Sequence, residues 1–214
     1  MPPTPTVFVV DDDPAVLKSL SRLLRSARLD VATFSSPRQY LEQHDPCAPG
    51  CLVLDLAMPG LNGLELQKTL AAKSSALPII FLTGHGDIPM SVQAMKRGAL
   101  DFLTKPVNDD DLLRAIHLAI EKDRLLRQTR AEVAEIEQRL ATLTPREREV
   151  LEHVISGQLN KQTAAELGTV EKTIKVHRAR VMEKMKVQSV AELVRLAERV
   201  GIGRSGPSLV TSNQ

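Results

Sequence analysis

The sequence predicts a doubly wound α/β domain, followed by a helical linker and a smaller all-helical domain. Three observations support this prediction. Five short apolar runs, rich in Val, Ile, Leu or Phe and bounded by breakers, have the composition of buried parallel strands. Amphipathic stretches separate these runs. From residue 142 onward the pattern becomes entirely helical, with glycines between the helices.

The strand-like runs are residues 6–10, 29–34, 51–55, 78–83 and 100–104. Residues 14–27 form the first amphipathic stretch, with Pro14 well placed in the first turn of a helix. Asp87 is a candidate cap for a later helix that carries Val92 and Met95. Five successive β–α units predict a three-layer domain with right-handed crossovers.

Residues 107–143 have a mainly helical pattern with an apolar residue at every seventh position from Ala119. Lys122 and Thr129 interrupt the second apolar column. The apolar positions are Ala119, Leu126, Val133 and Leu140 in one column and Ile136 and Leu143 in the other. Two interpretations stay open: a short, imperfect coiled coil between two chains, or a linker helix that packs on its own domain.

Helix signals are strong in the last part of the chain. Thr144-Pro145-Arg146-Glu147 is a capping box with proline in the first helical position, and Thr169 is a candidate cap further on. The predicted helices cover about 146–156, 160–167, 170–185 and 189–199. We therefore predict an α/β domain at 1–121, a linker at 122–141, a helical domain at 142–200 and a disordered tail at 201–214.

Composition narrows the classes of function. The chain has 28 Lys and Arg against 26 Asp and Glu, but residues 1–120 are weakly acidic and residues 142–200 are basic. Different partners are expected for the two halves. With no Trp and one Tyr, aromatic stacking is an unpromising mode of recognition.

No apolar run would span a bilayer and no signal segment opens the chain, so a cytoplasmic protein without a membrane partner is expected. Its two cysteines suit a reduced compartment, with Cys51 in a strand core.

Polar side chains follow the predicted strands where each strand ends. Asp11 and Asp12 follow the first, Asp55 ends the third, Thr83 ends the fourth, and Lys105 follows the fifth. The carboxyl ends of parallel strands line one crevice, and ligands bind there. Carboxylate oxygens suit Mg²⁺, while a hydroxyl and an ammonium suit a phosphoryl group. The neighbouring Asp13 is better explained as the cap before Pro14 than as a third metal ligand.

Residues 5–120 resemble a two-component receiver domain. The resemblance is carried by Val10-Asp11-Asp12, Asp55-Leu56-Ala57-Met58-Pro59-Gly60, Thr83-Gly84 and Lys105-Pro106, in that order. It implies a flavodoxin-like fold with strand order 2-1-3-4-5. It also implies that Asp55 is the phosphoacceptor, which takes a phosphoryl group from a phosphohistidine on a sensor histidine kinase.

The resemblance further implies individual roles around Asp55. Asp12 would ligate Mg²⁺ directly, Asp11 through water, and the backbone carbonyl of Ala57 would complete the protein ligands together with Asp55. Lys105 would pair with the phosphoryl group, and its bond to Pro106 would be cis. Thr83 and Phe102 would form the switch pair. The methyl group of Ala57 cannot orient an attacking water, so a fairly long-lived phosphoryl state is expected.

Residues 161–182 have the pattern of a helix-turn-helix. The second helix would place Ile174, His177 or Arg178, Val181 and Met185 on an inward face. Another face carries Lys172, Lys175, Val176 and Ala179. In such an arrangement, phosphate contacts give affinity and base contacts give sequence preference.

The same region resembles the LuxR-type four-helix DNA-binding domain. The matching segments are Leu143–Leu151, Asn160-Lys161, Lys172–His177 and Ala191–Leu193. Together the two halves resemble response regulators of the NarL/FixJ class, and in particular its FixJ and StyR branch. The candidate DNA-contacting residues are Lys161, Lys172, Thr173, Lys175, Val176, Arg178 and Ala179. Thr163 departs from the family, which usually has Ile there.

The expected function is that of a transcription factor that is switched by phosphorylation of Asp55 and binds promoter DNA, with RNA polymerase as a further partner. Phosphorylation would promote a homodimer through the fourth helix, fifth strand and fifth helix, or release an inhibitory dock; both routes stay open. One alternative is a regulator that binds DNA without phosphorylation. A phosphohydrolase is disfavoured, because Ala57 stands where such enzymes commonly carry a second Asp. Only slow self-dephosphorylation is expected.

Overall fold

The structure, a computed structural model, describes residues 4–72, 77–84 and 88–202. The chain divides into two compact units, Met1–Gln128 and Thr129–Gln214. Asp87 and most of the predicted tail lie outside the described residues. Among the helices described, none combines the length and the apolar character that a membrane crossing requires.

The first unit contains a five-stranded parallel sheet with the strand order β2-β1-β3-β4-β5. The strands are β1 Thr6–Val10, β2 Asp30–Phe34, β3 Gly50–Asp55, β4 Ile79–Thr83 and β5 Asp101–Thr104. The predicted doubly wound fold and its strand order are therefore confirmed. The boundaries of the predicted strands differ from these by one residue at most.

Helices alternate with the strands and cover both faces of the sheet. They are α1 Pro14–Ser26, α2 Pro37–Gln43, α3 Gly63–Ala72, α4 Ile88–Lys96 and α5 Asp109–Ala141. Side chains alternate along β3, so Leu52 and Leu54 enter one buried cluster while Cys51 and Val53 enter the other. Burial raises the pKa of the Cys51 thiol to about 12, and the charge of Asp123 adds to this effect. Cys51 is thus a strand core residue, as predicted, and its raised pKa makes the thiol unreactive.

The second unit is helical. Its helices after α5 are α6 Pro145–Ile155, α7 Asn160–Glu166, α8 Glu171–Lys184 and α9 Val190–Arg199. The predicted capping box is present, because the Thr144 hydroxyl accepts from the Glu147 N–H at 3.3 Å and the Glu147 carboxylate accepts from the Thr144 N–H at 2.9 Å. The predicted cap at Thr169 is wrong: Val170 precedes α8, and the Thr169 N–H instead bonds the Ala164 carbonyl at 2.9 Å. Thr169 therefore closes the turn after α7.

Helix α5 contains the whole predicted linker. Ala119 is buried in the core of the first unit, and three other apolar residues of the predicted columns are buried in the core of the second. These are Ile136, Leu140 and Leu143. Leu126, in contrast, is 37% exposed. The buried positions of α5 therefore pack within the same chain. This supports the interpretation of the linker as a helix that packs on its own domain.

Candidate functional site

The strand register brings the predicted carboxylates together. Val10 pairs with Leu54, so the residues that follow each of them, Asp11 and Asp55, lie side by side at the carboxyl edge of the sheet. Asp11, Asp12 and Asp55 each offer an oxygen within 4.8 Å of the others. Asp11 and Asp55 are buried, whereas Asp12 is exposed. A small oxygen-seeking cation suits this donor set, and the site is open to solvent on the Asp12 side.

Lys105 ties the buried carboxylates together. Its Nζ lies 2.6 Å from Asp11 Oδ2 and 3.1 Å from Asp55 Oδ1. Burial raises the pKa of the Asp55 carboxyl, and this outweighs the lowering by the nearby Lys105 ammonium. Burial acts to lower the pKa of Lys105, but its bonds to both carboxylates raise it overall. The ammonium is therefore held charged beside Asp55, where an incoming anion would meet it.

The neighbouring Asp13 has the capping role that the sequence favoured. Its Oδ1 accepts from the Ala15 N–H at 2.8 Å, at the start of α1. Its own N–H donates to Asp11 Oδ1 at 2.9 Å. Asp13 therefore caps α1 and at the same time orients Asp11, since the second oxygen of Asp11 receives Lys105.

The two proposed switch residues lie on neighbouring strands: Thr83 ends β4, and Phe102 lies inside β5, where it pairs with Phe81. Thr83 is 1% exposed, and its hydroxyl donates to the Gly84 carbonyl at 3.1 Å. Phe102 is half-buried and packs against the core. The Lys105 N–H donates to the Thr83 carbonyl at 2.6 Å, which links the loop after β5 to the end of β4. The bond between Lys105 and Pro106 is cis, and Ala57 is exposed next to the pocket.

Gly63 is a residue of this site that sequence reasoning missed. A Cβ on Gly63 would lie 2.5 Å from the carbonyl oxygen of Asp55 and 3.0 Å from the ring of Phe81. Only glycine lets α3 begin so close to the backbone of Asp55. A single glycine gives no signal of such an approach in the sequence.

In the second unit, helix α8 has the two faces that the sequence predicted. Ile174, Val181 and Met185 are buried. The residues of the opposite face are exposed; they are Lys172, Lys175, Val176 and Ala179. Lys161 on α7 is exposed too, and Thr173 is half-buried. An exposed face with two lysines and two apolar side chains can contact both phosphates and base edges.

One side-chain bond joins the two helices of the helix-turn-helix, and a second lies within the first of them. Arg178 Nη1 donates to Asn160 Oδ1 at 3.1 Å, so this half-buried arginine links α8 to the start of α7. The hydroxyl of buried Thr163 donates to the Leu159 carbonyl at 3.3 Å. The hydroxyl that departs from the family pattern therefore has a partner inside its own helix.

A parallel α/β domain with an acidic pocket at its strand ends, joined to a helix-turn-helix domain, defines a signal-controlled DNA-binding protein. The family model described as "Response regulator receiver domain" matches residues 7–117, and "Bacterial regulatory proteins, luxR family" matches residues 141–197. The chain belongs to the response regulators that combine a receiver with a LuxR-type DNA-binding domain. It is a phosphorylation-controlled transcription regulator, and its two domains imply a kinase partner and DNA as its ligand.

Individual relatives agree with this assignment. Nodulation protein W of Bradyrhizobium diazoefficiens is 49% identical over 92% of this chain and 86% of the relative. The solved structure of response regulator StyR is 49% identical with a TM-score of 0.85, over 92% of this chain and 99% of that one. Full-length FixJ from B. japonicum is 44% identical with a TM-score of 0.58, over 93% and 98%.

Proposed function

We propose that Asp55 is the phosphoacceptor of this response regulator. One observation carries the proposal: a buried carboxylate stands 3.1 Å from a lysine ammonium, at a sheet edge where two further carboxylates come within 4.8 Å. An oxygen of Asp55 bonds to phosphorus while the phosphorus–nitrogen bond of a phosphohistidine on the kinase breaks. Lys105 then exchanges part of its contact with Asp11 and Asp55 for the phosphoryl oxygens.

The donor set fits Mg²⁺. Asp12, Asp55 and the carbonyl of Ala57 would hold the ion directly, with Asp11 acting through water. When bound, Mg²⁺ offsets the repulsion between the carboxylate and the incoming phosphoryl group. Thr83 would turn from the Gly84 carbonyl toward the phosphoryl oxygens, and Phe102 would turn inward behind it. Ala57 offers no group to position water, so self-dephosphorylation is slow.

The output of this switch is a homodimer that presents two DNA-binding domains. Its support is the exposed apolar surface of the first unit on α4 and α5, where Val92 is 48%, Met95 46% and Leu118 60% exposed. Light scattering on the phosphorylated protein tests this against release of an inhibitory dock, which would leave the mass unchanged.

The regulator would act in the cytoplasm, and RNA polymerase would be its further partner. We retain the receiver at 1–121, the linker at 122–141 and the DNA-binding domain at 142–200 as its functional segments.

Asp55→Asn is expected to abolish phosphorylation. Incubation with acetyl phosphate and Mg²⁺ should add one phosphoryl group to the wild-type protein, which intact-mass spectrometry detects. The amide cannot form the acyl phosphate, and omission of Mg²⁺ should prevent the addition to wild type. Asp13→Asn is the matched control, because it changes a capping carboxylate two residues from Asp11. A phosphoryl group on Asp55→Asn would show that another residue is the acceptor. If wild type stayed unmodified with both acetyl phosphate and a phosphorylated sensor kinase, the phosphorylation-independent regulator would be favoured.

We propose that Lys161, Lys172, Thr173, Lys175, Val176 and Ala179 contact DNA, with Arg178 at the edge of this surface. The exposure of the α8 face is the support for this proposal. Arg178 has a second duty, because it is bonded to Asn160 and so orients α8 against α7.

Lys175→Ala should weaken binding to promoter DNA by roughly tenfold and reduce the salt dependence of binding, because one phosphate contact is lost. Fluorescence anisotropy at several salt concentrations measures both effects. Phosphorylation of Asp55 should be unaffected. Lys18→Ala, which removes an exposed lysine from α1 of the receiver, is the control for charge alone. Equal affinities for the two variants would remove Lys175 from the interface.

A further inference from the structure

Helix α5 contains a buried carboxylate near its middle, a few residues before the end of the first unit. Asp123 is 3% exposed, and a buried charge of this kind needs partners. Its Oδ2 accepts two hydrogen bonds, from the Gly50 N–H at 2.9 Å and from Arg127 Nε at 2.7 Å. One of these bonds lies within the helix, and the other joins α5 to the first residue of β3.

Arg127 extends the connection to the segment that precedes β3. Its Nη1 donates to the Cys47 carbonyl at 2.7 Å and its Nη2 to the Ala48 carbonyl at 2.6 Å. One guanidinium therefore holds a carboxylate on its own helix and two carbonyls from another part of the chain. A planar, always charged fork suits this task better than a single ammonium does. We call these four bonds, made by Asp123 and Arg127, the α5 clamp.

The clamp begins where the apolar attachment of α5 ends. Leu112, Ile116 and Ala119 are buried against the sheet, and Ile120 is the last residue of α5 among the described members of this core. Beyond it, Leu125 is 50% exposed. In the described part of the chain, residues 121–128 are therefore attached to the receiver mainly by hydrogen bonds and less by apolar packing.

The position of the clamp relates it to the phosphorylation pocket. Strand β3 begins at Gly50, whose N–H is part of the clamp, and ends at Asp55. The two features thus occupy opposite ends of one buried central strand. A rigid element between two sites is the kind of connection through which a change at one site can bias the other.

We infer that the α5 clamp makes residues 121–128 a fixed extension of the receiver, and that this fixed extension is required for phosphorylation to change DNA binding. The second half of this inference rests on the proposed function of Asp55. Without the clamp, α5 would be loose at the point where it leaves the receiver, and a receiver rearrangement would no longer direct the rest of the chain.

The test compares Arg127→Ala with Arg124→Ala in the full chain. Arg124 lies on the same helix and pairs with Glu121, but both of these side chains are more than half exposed. Hydrogen exchange of the amides of residues 121–128 should accelerate by roughly tenfold or more in Arg127→Ala, because a charged hydrogen bond to a buried carboxylate is lost. In Arg124→Ala it should stay within about twofold, as for an exposed pair. Arg127→Lys, which keeps the charge beside Asp123 but cannot reach both carbonyls, should fall between them.

The functional arm measures DNA affinity before and after phosphorylation with acetyl phosphate. We expect all variants to accept the phosphoryl group and to bind DNA equally when unphosphorylated, while Arg127→Ala loses most of the gain on phosphorylation. Unchanged exchange in Arg127→Ala would overturn the clamp itself. Accelerated exchange with a full gain in affinity would overturn its role in signalling. If phosphorylation gave the wild-type protein no gain in DNA affinity, both the proposed function and the signalling role of the clamp would fail. The hydrogen-exchange measurement would still show whether the clamp holds residues 121–128.

Discussion

Gly50→Ala is expected to lower the free energy of unfolding of the receiver by about 4 kcal/mol or more, a value reached only by severe packing or backbone defects. Gly50 has a φ angle of +141°, which side chains rarely permit, and a Cβ there would lie 1.8 Å from the carbonyl oxygen of Thr6. That oxygen belongs to the backbone of the neighbouring strand β1, so it cannot move aside without breaking the sheet. Urea unfolding measures the loss.

The chain itself supplies the probe for this measurement. It contains no Trp and one Tyr, and Tyr40 is fully buried in the receiver core. Tyrosine fluorescence therefore reports on unfolding of the receiver alone. Gly98→Ala is the control, because Gly98 has a φ of +89° but nothing within 4 Å of the added Cβ. It should cost only about 1–2 kcal/mol, the strain of the left-handed backbone. Equal losses in the two variants would show that the contact with Thr6 is relieved by a small shift.

The sequence predicts the acidic pocket well for a physical reason. Strand ends in a parallel sheet share one edge, so finding Asp11, Asp55 and Lys105 at the ends of apolar runs is enough to bring them together. The two faces of α8 are predictable in the same way, since helical periodicity separates buried Ile174 from exposed Lys175. In both cases a local pattern determines the direction of a side chain.

Contacts between distant segments have no such local pattern. Asp123 bonds to Gly50 across 73 positions, and nothing in the helical spacing of α5 distinguishes it from its exposed acidic neighbours. The close approach of Gly63 to Asp55 depends on where α3 begins relative to β3. Even the local cap at Thr169 was misassigned, because a threonine just before a helix is a common cap signal, whereas here Val170 is the N-cap and the Thr169 N–H closes the preceding turn. These features follow from packing, which a single sequence does not specify.

Lys184→Met should destabilise the DNA-binding domain by about 2–3 kcal/mol, because it leaves a buried carboxylate without its cation. Lys184 Nζ lies 2.6 Å from Glu147 Oε2 and 3.0 Å from the Thr142 carbonyl, and Glu147 is 2% exposed. One third of the Lys184 side chain meets solvent, which screens the pair and keeps the loss below that of a fully buried one. Hydrogen exchange of the slowest amides in α6 and α8 measures the change.

Lys175→Met is the matched control, since Lys175 lies on the same helix and its pair with Glu171 at 3.0 Å is exposed on both sides. It should cost no more than about 0.5 kcal/mol. If the two variants were equally stable, the buried pair would contribute nothing beyond an exposed one. Such a result would show that the Glu147 carboxylate does not need the Lys184 ammonium, because the Thr144 N–H and solvent would be sufficient partners for it.

The pH dependence of the Lys184→Met effect separates charge from packing. The bond from Lys184, followed by that from the Thr144 N–H, lowers the pKa of the Glu147 carboxyl from its usual value of 4.5. A lowered pKa in the folded state means that the stabilisation is present above pH 4.5 and is lost as the pH falls through the folded pKa. The stability difference between wild type and Lys184→Met should therefore be largest near neutral pH and shrink in acid. A difference that stayed constant with pH would assign the loss to the packing of the lysine stem, because the stem does not titrate.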